Sequence, residues 1–127
     1  MANTEVELVT PTRSLFSGEA EAVFCRAEGG EIAFLADHMP YLGVLEPSLV
    51  RIVVPGGAEI HVAAHGGFVE VRQNRVIMLV NVAEPADEID VPRAQRALAA
   101  AEANQEDPDA VAAARRAQVR LEVAATR

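Results

Sequence analysis

From Met1 to Ala86 the apolar positions come in short alternating or continuous runs, each cut off by Gly, Pro or polar pairs. Glu5 to Thr10 alternates and ends in Pro11-Thr12-Arg13-Ser14, a turn. Ser17-Gly18 leads into Ala22-Val23-Phe24-Cys25-Arg26, and Glu28-Gly29-Gly30 into Glu31-Ile32-Ala33-Phe34-Leu35. Leu49 to Val54 runs into Pro55-Gly56-Gly57, Ala58 to Ala63 rises again, and His65-Gly66-Gly67 precedes Phe68-Val69-Glu70-Val71-Arg72. Gln73-Asn74 is a tight-turn candidate before Arg75 to Val82. Short strands roughly ten residues apart with turn chemistry between them predict an antiparallel sandwich or barrel.

Near residue 86 the pattern changes to helical. Asp90-Val91-Pro92 reads as an N-cap with proline in the first turn, predicting a helix to about Gln105. Asp107-Pro108-Asp109 opens a second, to about Ala124, with Pro108 at the first helical position and Asp109 at the positive end of the dipole. The connection is short, so the pair forms an antiparallel hairpin. The chain thus divides into 1–86, a β-sandwich domain, and 87–127, an α-helical hairpin. Of the 37 residues from Val91 to Arg127, 13 are alanine, and the larger apolar side chains are Val91, Leu98, Val111, Val119, Leu121 and Val123. Alanine favours helix but buries little area. Helices of about fifteen residues are marginal alone. The expectation is an appendage poised between docked and undocked states.

Charge and composition narrow the function classes. The chain has 127 residues, 50% of them apolar and 24% charged, and a formal net charge of −8. It should therefore fold, while repelling nucleic-acid phosphates and anionic lipid headgroups. No apolar run approaches bilayer length and the N-terminus lacks a signal-peptide pattern, so the expectation is a protein kept in the cytoplasm. All 11 basic residues are arginine, which excludes a P-loop and lysine Schiff-base chemistry. A single cysteine, Cys25, excludes an intrachain disulfide and a thiolate metal cage, and its apolar strand makes it core.

His61 and His65 are spaced as a metal pair on a helix, but in a strand they stand roughly 13 Å apart and cannot share an ion. Asp37 and His38 could form a base pair in a loop, yet no nucleophile or oxyanion motif accompanies them. The glycine pairs open no helix and read as turns or bulges. Arg93 and Arg96 on the first helix, and Arg116 and Arg120 on the second, form either a solvated, salt-bridged face or a cluster converging on an anion. Spacing leaves both open.

In this setting Ser17-Gly18-Glu19-Ala20, Glu28 to Pro40, His65 to Val71 and Ile89-Asp90-Val91-Pro92-Arg93-Ala94 together resemble the epsilon subunit of bacterial F-type ATP synthases, in order and over nearly the whole chain. The resemblance implies a ten-stranded sandwich followed by a helical hairpin. It implies a non-catalytic, peripheral subunit of the rotating central stalk, on the cytoplasmic face of the cell membrane. Its implied partners are the gamma subunit and the c-subunit ring, with alpha and beta reached by the extended hairpin to restrain ATP hydrolysis. Neither nucleic acid nor direct membrane insertion is implied. The loop facing the c ring matches Glu31 and His38; the family usually has Pro-Gly before that histidine, where this chain has Ala36-Asp37. No cofactor is required. Some bacterial members bind regulatory ATP on the folded hairpin, through positions matched by Glu84, Ile89, Asp90, Arg93, Ala94, Arg116 and Arg120, while a further basic position is Ala100 here. The rival readings are a free-standing nucleotide-sensing module and a sandwich metalloenzyme using His38, His61 and His65.

Overall fold

The computed structural model describes residues 2–127. Its strands are β1 (Thr4–Val9), β2 (Ser14–Ala20), β3 (Ala22–Ala27), β4 (Gly30–Leu35), β5 (Tyr41–Leu45), β6 (Ser48–Val53), β7 (Glu59–Arg72) and β8 (Arg75–Pro85). A 3-10 turn at Ala86–Glu88 leads to α1 (Val91–Glu102) and α2 (Pro108–Ala124). The ladder runs β2-β1-β8-β7-β5-β3-β4, with β6 bridging β3 and β7, and it closes on itself as a sandwich. Alternation decides the inside: Val6 and Leu8 of β1, Val50 and Ile52 of β6, and Val76 and Met78 of β8 all bury fully, together with Val23, Phe34 and Leu45. Pairing is antiparallel except that β1 lies parallel to β8, which a hairpin-by-hairpin reading of the sequence does not anticipate.

Eight strands, two of them long, build the sandwich, and β7 serves both layers. Its first half pairs with β6 from Glu59 to Ala64 and its second half with β5 from Gly67 to Val71. The inward positions change parity between them: Val62 and Ala64 face the core before Gly66-Gly67, Val69 and Val71 after. At Gly67 φ is +132°, and a Cβ would meet the Leu79 carbonyl oxygen at 2.1 Å, so only glycine lets β7 cross here.

The tight turns use left-handed backbone. Gln73 and Asn74 adopt φ of 51° and 58°, the two-residue I′ geometry that matches strand twist. Asn74 then acts as a knot: Nδ2 donates to the Asn3 carbonyl (2.9 Å), Oδ1 accepts from the Asp37 N–H (2.8 Å), and its own carbonyl accepts from the Thr4 hydroxyl (2.9 Å).

The hairpin lies docked on the sandwich. Asp90 caps α1 by accepting from the Arg93 N–H, and Asp107 caps α2 by accepting from the Asp109 N–H. α1 stops at Glu102, three residues short of the expected Gln105, where an Asn104–Asp107 turn takes over the backbone hydrogen bonds. A second, smaller core joins Val119, Val123 and Ala124 of α2 to Ala63 of β7 and Ile89. No helix among the described residues is long and apolar enough to cross a membrane.

Candidate functional site

The turn after β4 carries His38. Its backbone N–H donates to the Leu35 carbonyl (3.2 Å), and its ring meets the buried Phe34 edge-on with centroids 5.0 Å apart. Asp37 takes φ +60°, a left-handed conformation more usual for glycine, and aspartate is among the few side chains that tolerate it. The turn is therefore kept without a glycine, and the Asn74 amide pins it. Around His38 apolar side chains face outward: Met39 is 72% exposed and Leu42 68%, with Leu35 beside them. Glu31 stands at the start of β4, opposite Arg26 of β3, so the strand separates it from His38 and no ion pair or hydrogen bond joins the two.

A second apolar feature crosses the outer sheet. Val44 of β5 pairs with Phe68 of β7, and Phe68 pairs with Leu79 of β8; all three are more than half exposed. Three large apolar residues in register on an open sheet face make a flat patch rather than isolated exposure. Val44 and Leu79 sit in nearly continuous apolar stretches (Leu42 to Leu45, Met78 to Val80), which is the sequence sign of a strand apolar on both faces.

The third feature lies where α2 meets the sandwich. Arg120 Nε donates to Glu84 Oε1 at 2.5 Å, and His65 Nε2 lies 3.8 Å from the same oxygen. His65 is buried, 6% exposed, and neither ring nitrogen has a hydrogen-bond partner among the described residues. Such an orphaned buried group costs roughly 1–3 kcal/mol. Burial pushes the imidazole down to about 4, helped by Arg120 and Arg116 and opposed by Glu84. His61, by contrast, reaches Glu59 at 2.9 Å. The three histidines thus sit in three separate settings, and no cluster of metal-ligating side chains occurs among the described residues.

The hairpin residues singled out in the sequence are only partly brought together. Glu84 and Arg120 meet, with Arg116 one turn away on α2. Ile89 is buried against Val119 and Val123, Asp90 is spent as a cap, and Ala94 is buried in the helix contact. Arg93 and Arg96 are exposed and form no ion pair among the described residues. The Arg127 guanidinium clasps the linker, donating to the carbonyls of Ala86 (3.0 Å) and Ile89 (3.1 Å).

A cleft of about 580 Å³ lies between α2 and β3, β4 and β6. Its arginines are already engaged: Arg26 lies 3.7 Å from Glu46, Arg51 lies 3.6 Å from Glu59 and over the Phe24 ring, and Arg115 donates to the Pro47 carbonyl. Glu31 and Glu122 line it too, so it offers no free cationic field. The described residues thus present two outward apolar surfaces and one part-buried ion pair between sandwich and hairpin.

Comparison with known proteins gives a consistent picture. The family described as "ATP synthase, Delta/Epsilon chain, beta-sandwich domain" matches residues 3–86. The ATP synthase epsilon chain of Streptomyces griseus is 46% identical over 126 residues, covering 99% of this chain and 98% of that protein. The ATP synthase epsilon chain of Bacillus pumilus is 39% identical over 127 residues, covering 100% and 95%. Among solved structures, a chain of the Euglena gracilis mitochondrial ATP synthase (OSCP/F1/c-ring, rotational state 1) superposes with a TM-score of 0.77 at 25% identity, covering all of this chain and 83% of that one. A chain of the Tetrahymena thermophila mitochondrial ATP synthase central stalk and c-ring shares the fold, with a TM-score of 0.56 at 19% identity over 67% of this chain and 68% of that one.

Proposed function

The chain belongs to the ATP synthase epsilon-chain family, and from that premise we propose that its sandwich grips the turning central stalk while its hairpin restrains ATP hydrolysis. It is a non-catalytic subunit, so its work is recognition. Val44, Phe68 and Leu79 form the face that meets the gamma subunit. The tip around His38, with Met39 and Leu42, meets the c-subunit ring, and Glu31 adds a second polar contact further along β4. Through these partners the chain sits peripherally at the cytoplasmic face of the cell membrane. Regulatory ATP binds the docked hairpin through Glu84, Ile89, Asp90, Arg93, Ala94, Arg116 and Arg120, with Arg120 exchanging Glu84 for a phosphate oxygen.

The in-register apolar row carries the grip, because a buried aromatic anchor in a partner contributes most where water is excluded around it. Phe68→Glu leaves the core untouched, so the isolated chain should change in stability by no more than about 0.5 kcal/mol. Its capture by the gamma subunit should weaken by roughly 30-fold or more. Undiminished capture would remove this face from the interface. The restraint is tested by ending the chain after Ala86: the sandwich should stay folded by circular dichroism, and ATPase activity of the assembled enzyme should rise. Unchanged hydrolysis would remove the inhibitory role.

A further inference from the structure

Resting on the regulatory reading of the hairpin, we infer that His65 makes docking of α2 acid-sensitive: the imidazole is enclosed between sandwich and helix in a setting that only its neutral form tolerates, so protonation releases the helix. The parity change in β7 is what puts it there. Before Gly66-Gly67 the odd positions Ala63 and His65 lie on the hairpin's side, and Ala63 packs directly into the α2 core. His65 is therefore covered by the element whose position it would control.

The charged groups around it come from two elements. Glu84 of β8 lies 3.8 Å from Nε2, and α2 contributes Arg120, which holds Glu84, and Arg116. The charged residue of β6, Arg51, sits opposite His61 instead. A proton on His65 thus meets two guanidinium groups and competes with Arg120 for one carboxylate oxygen. When α2 leaves, both arginines and the cover over the ring leave with it, and the imidazole returns toward its ordinary 6.5 from about 4 in the docked form. Because the docked value is depressed, the contribution to docking is complete above 6.5 and is lost as pH falls from 6.5 toward 4. Linkage over that window gives up to roughly 30-fold more undocked hairpin at pH 5, about 4-fold at pH 6, and almost no change above pH 7.5. Acidification of the surrounding solution would then populate the released hairpin, the form that reaches toward alpha and beta.

The test is amide hydrogen exchange on the isolated full chain from pH 5 to 8, corrected for intrinsic rates, with His65→Gln as the non-titrating comparison. The opening constant of α1 and α2 should rise up to roughly 30-fold on going to pH 5 in the native chain and less than about 3-fold in His65→Gln, with β-strand amides unchanged in both. An NMR titration of the His65 ring in the native chain should give a midpoint below 5, which keeps the test independent of whether the variant folds. A flat hairpin profile, an equal rise in His65→Gln, or a ring midpoint at 6 or above overturns the inference. None of these readouts involves the assembled enzyme, so their failure leaves the restraint of hydrolysis to be judged by the truncation alone.

Discussion

Phe34→Ala should lower the unfolding free energy of the chain by about 3–5 kcal/mol, the range for emptying an aromatic site in a closed core. Phe34 is fully buried and is the bulkiest of the fully buried side chains. Its ring also supports two others, with His38 edge-on at 5.0 Å and Tyr41 tilted at 5.5 Å between centroids. The loss therefore spreads from core to surface: the void weakens the sandwich, and the turn that presents His38 loses its floor. Chemical denaturation should show the shift at unchanged slope, and thermal unfolding should fall by on the order of 10 °C. Phe34→Leu, which refills much of the site, should recover more than half. A destabilisation under about 1 kcal/mol for the alanine variant would mean that the site collapses easily, contrary to the packing described.

Gly67→Ala should be nearly as damaging for the opposite reason. Nothing is removed, but the new methyl would sit 2.1 Å from the Leu79 carbonyl oxygen and 2.8 Å from the Val80 Cα, both backbone atoms that no rotamer can move. Left-handed strain costs an L-residue about 1–2 kcal/mol. Overpacking adds roughly 1–3 kcal/mol, for a total near 2–5 kcal/mol. Gly57→Ala supplies the comparison: its φ of +96° carries the strain, yet a Cβ there meets nothing within 4 Å. It should cost only about 1–2 kcal/mol. Equal effects at the two positions would show that the approach of β7 to the Leu79–Val80 backbone is not sterically tight. Because Gly67 directly precedes Phe68 on β7, between Leu45 and Val80, the same variant should also disturb the Phe68 face.

Most of the secondary structure was legible in the sequence because its signals are local. The apolar runs place β1, β3, β4, β6 and β8, Asp90 and Asp107 announce both helix starts, and Gln73-Asn74 is readable as a turn from residue type alone. β2 and β5 carry no alternation that marks them, and His65-Gly66-Gly67 divides the single strand β7 into two apparent ones. What stayed hidden depends on distant partners. The parallel pairing of β1 with β8 joins residues about seventy apart, and no propensity encodes it. The parity change at Gly66-Gly67 looks like a bulge or a turn until the neighbouring Leu79 backbone is in place. His65 reads as an ordinary sheet-face histidine, since its burial comes from α2, whose Arg116 and Arg120 lie some fifty residues downstream. The row of Val44, Phe68 and Leu79 is unmarked in the sequence, because it exists only once β5, β7 and β8 pair in register. For the hairpin, spacing left two readings of the arginines open, and the geometry divides them: Arg120 is engaged, while Arg93 and Arg96 face solvent.

Asn74 ties the first residues of β1, the β7–β8 hairpin and the His38 turn together through one amide side chain and its carbonyl. A push on that turn is therefore carried directly into the long ladder and not taken up by a bending loop. On the proposed contact of this turn with the c ring, slack would mean lost angle, and a single asparagine would stiffen the coupling where slip costs most.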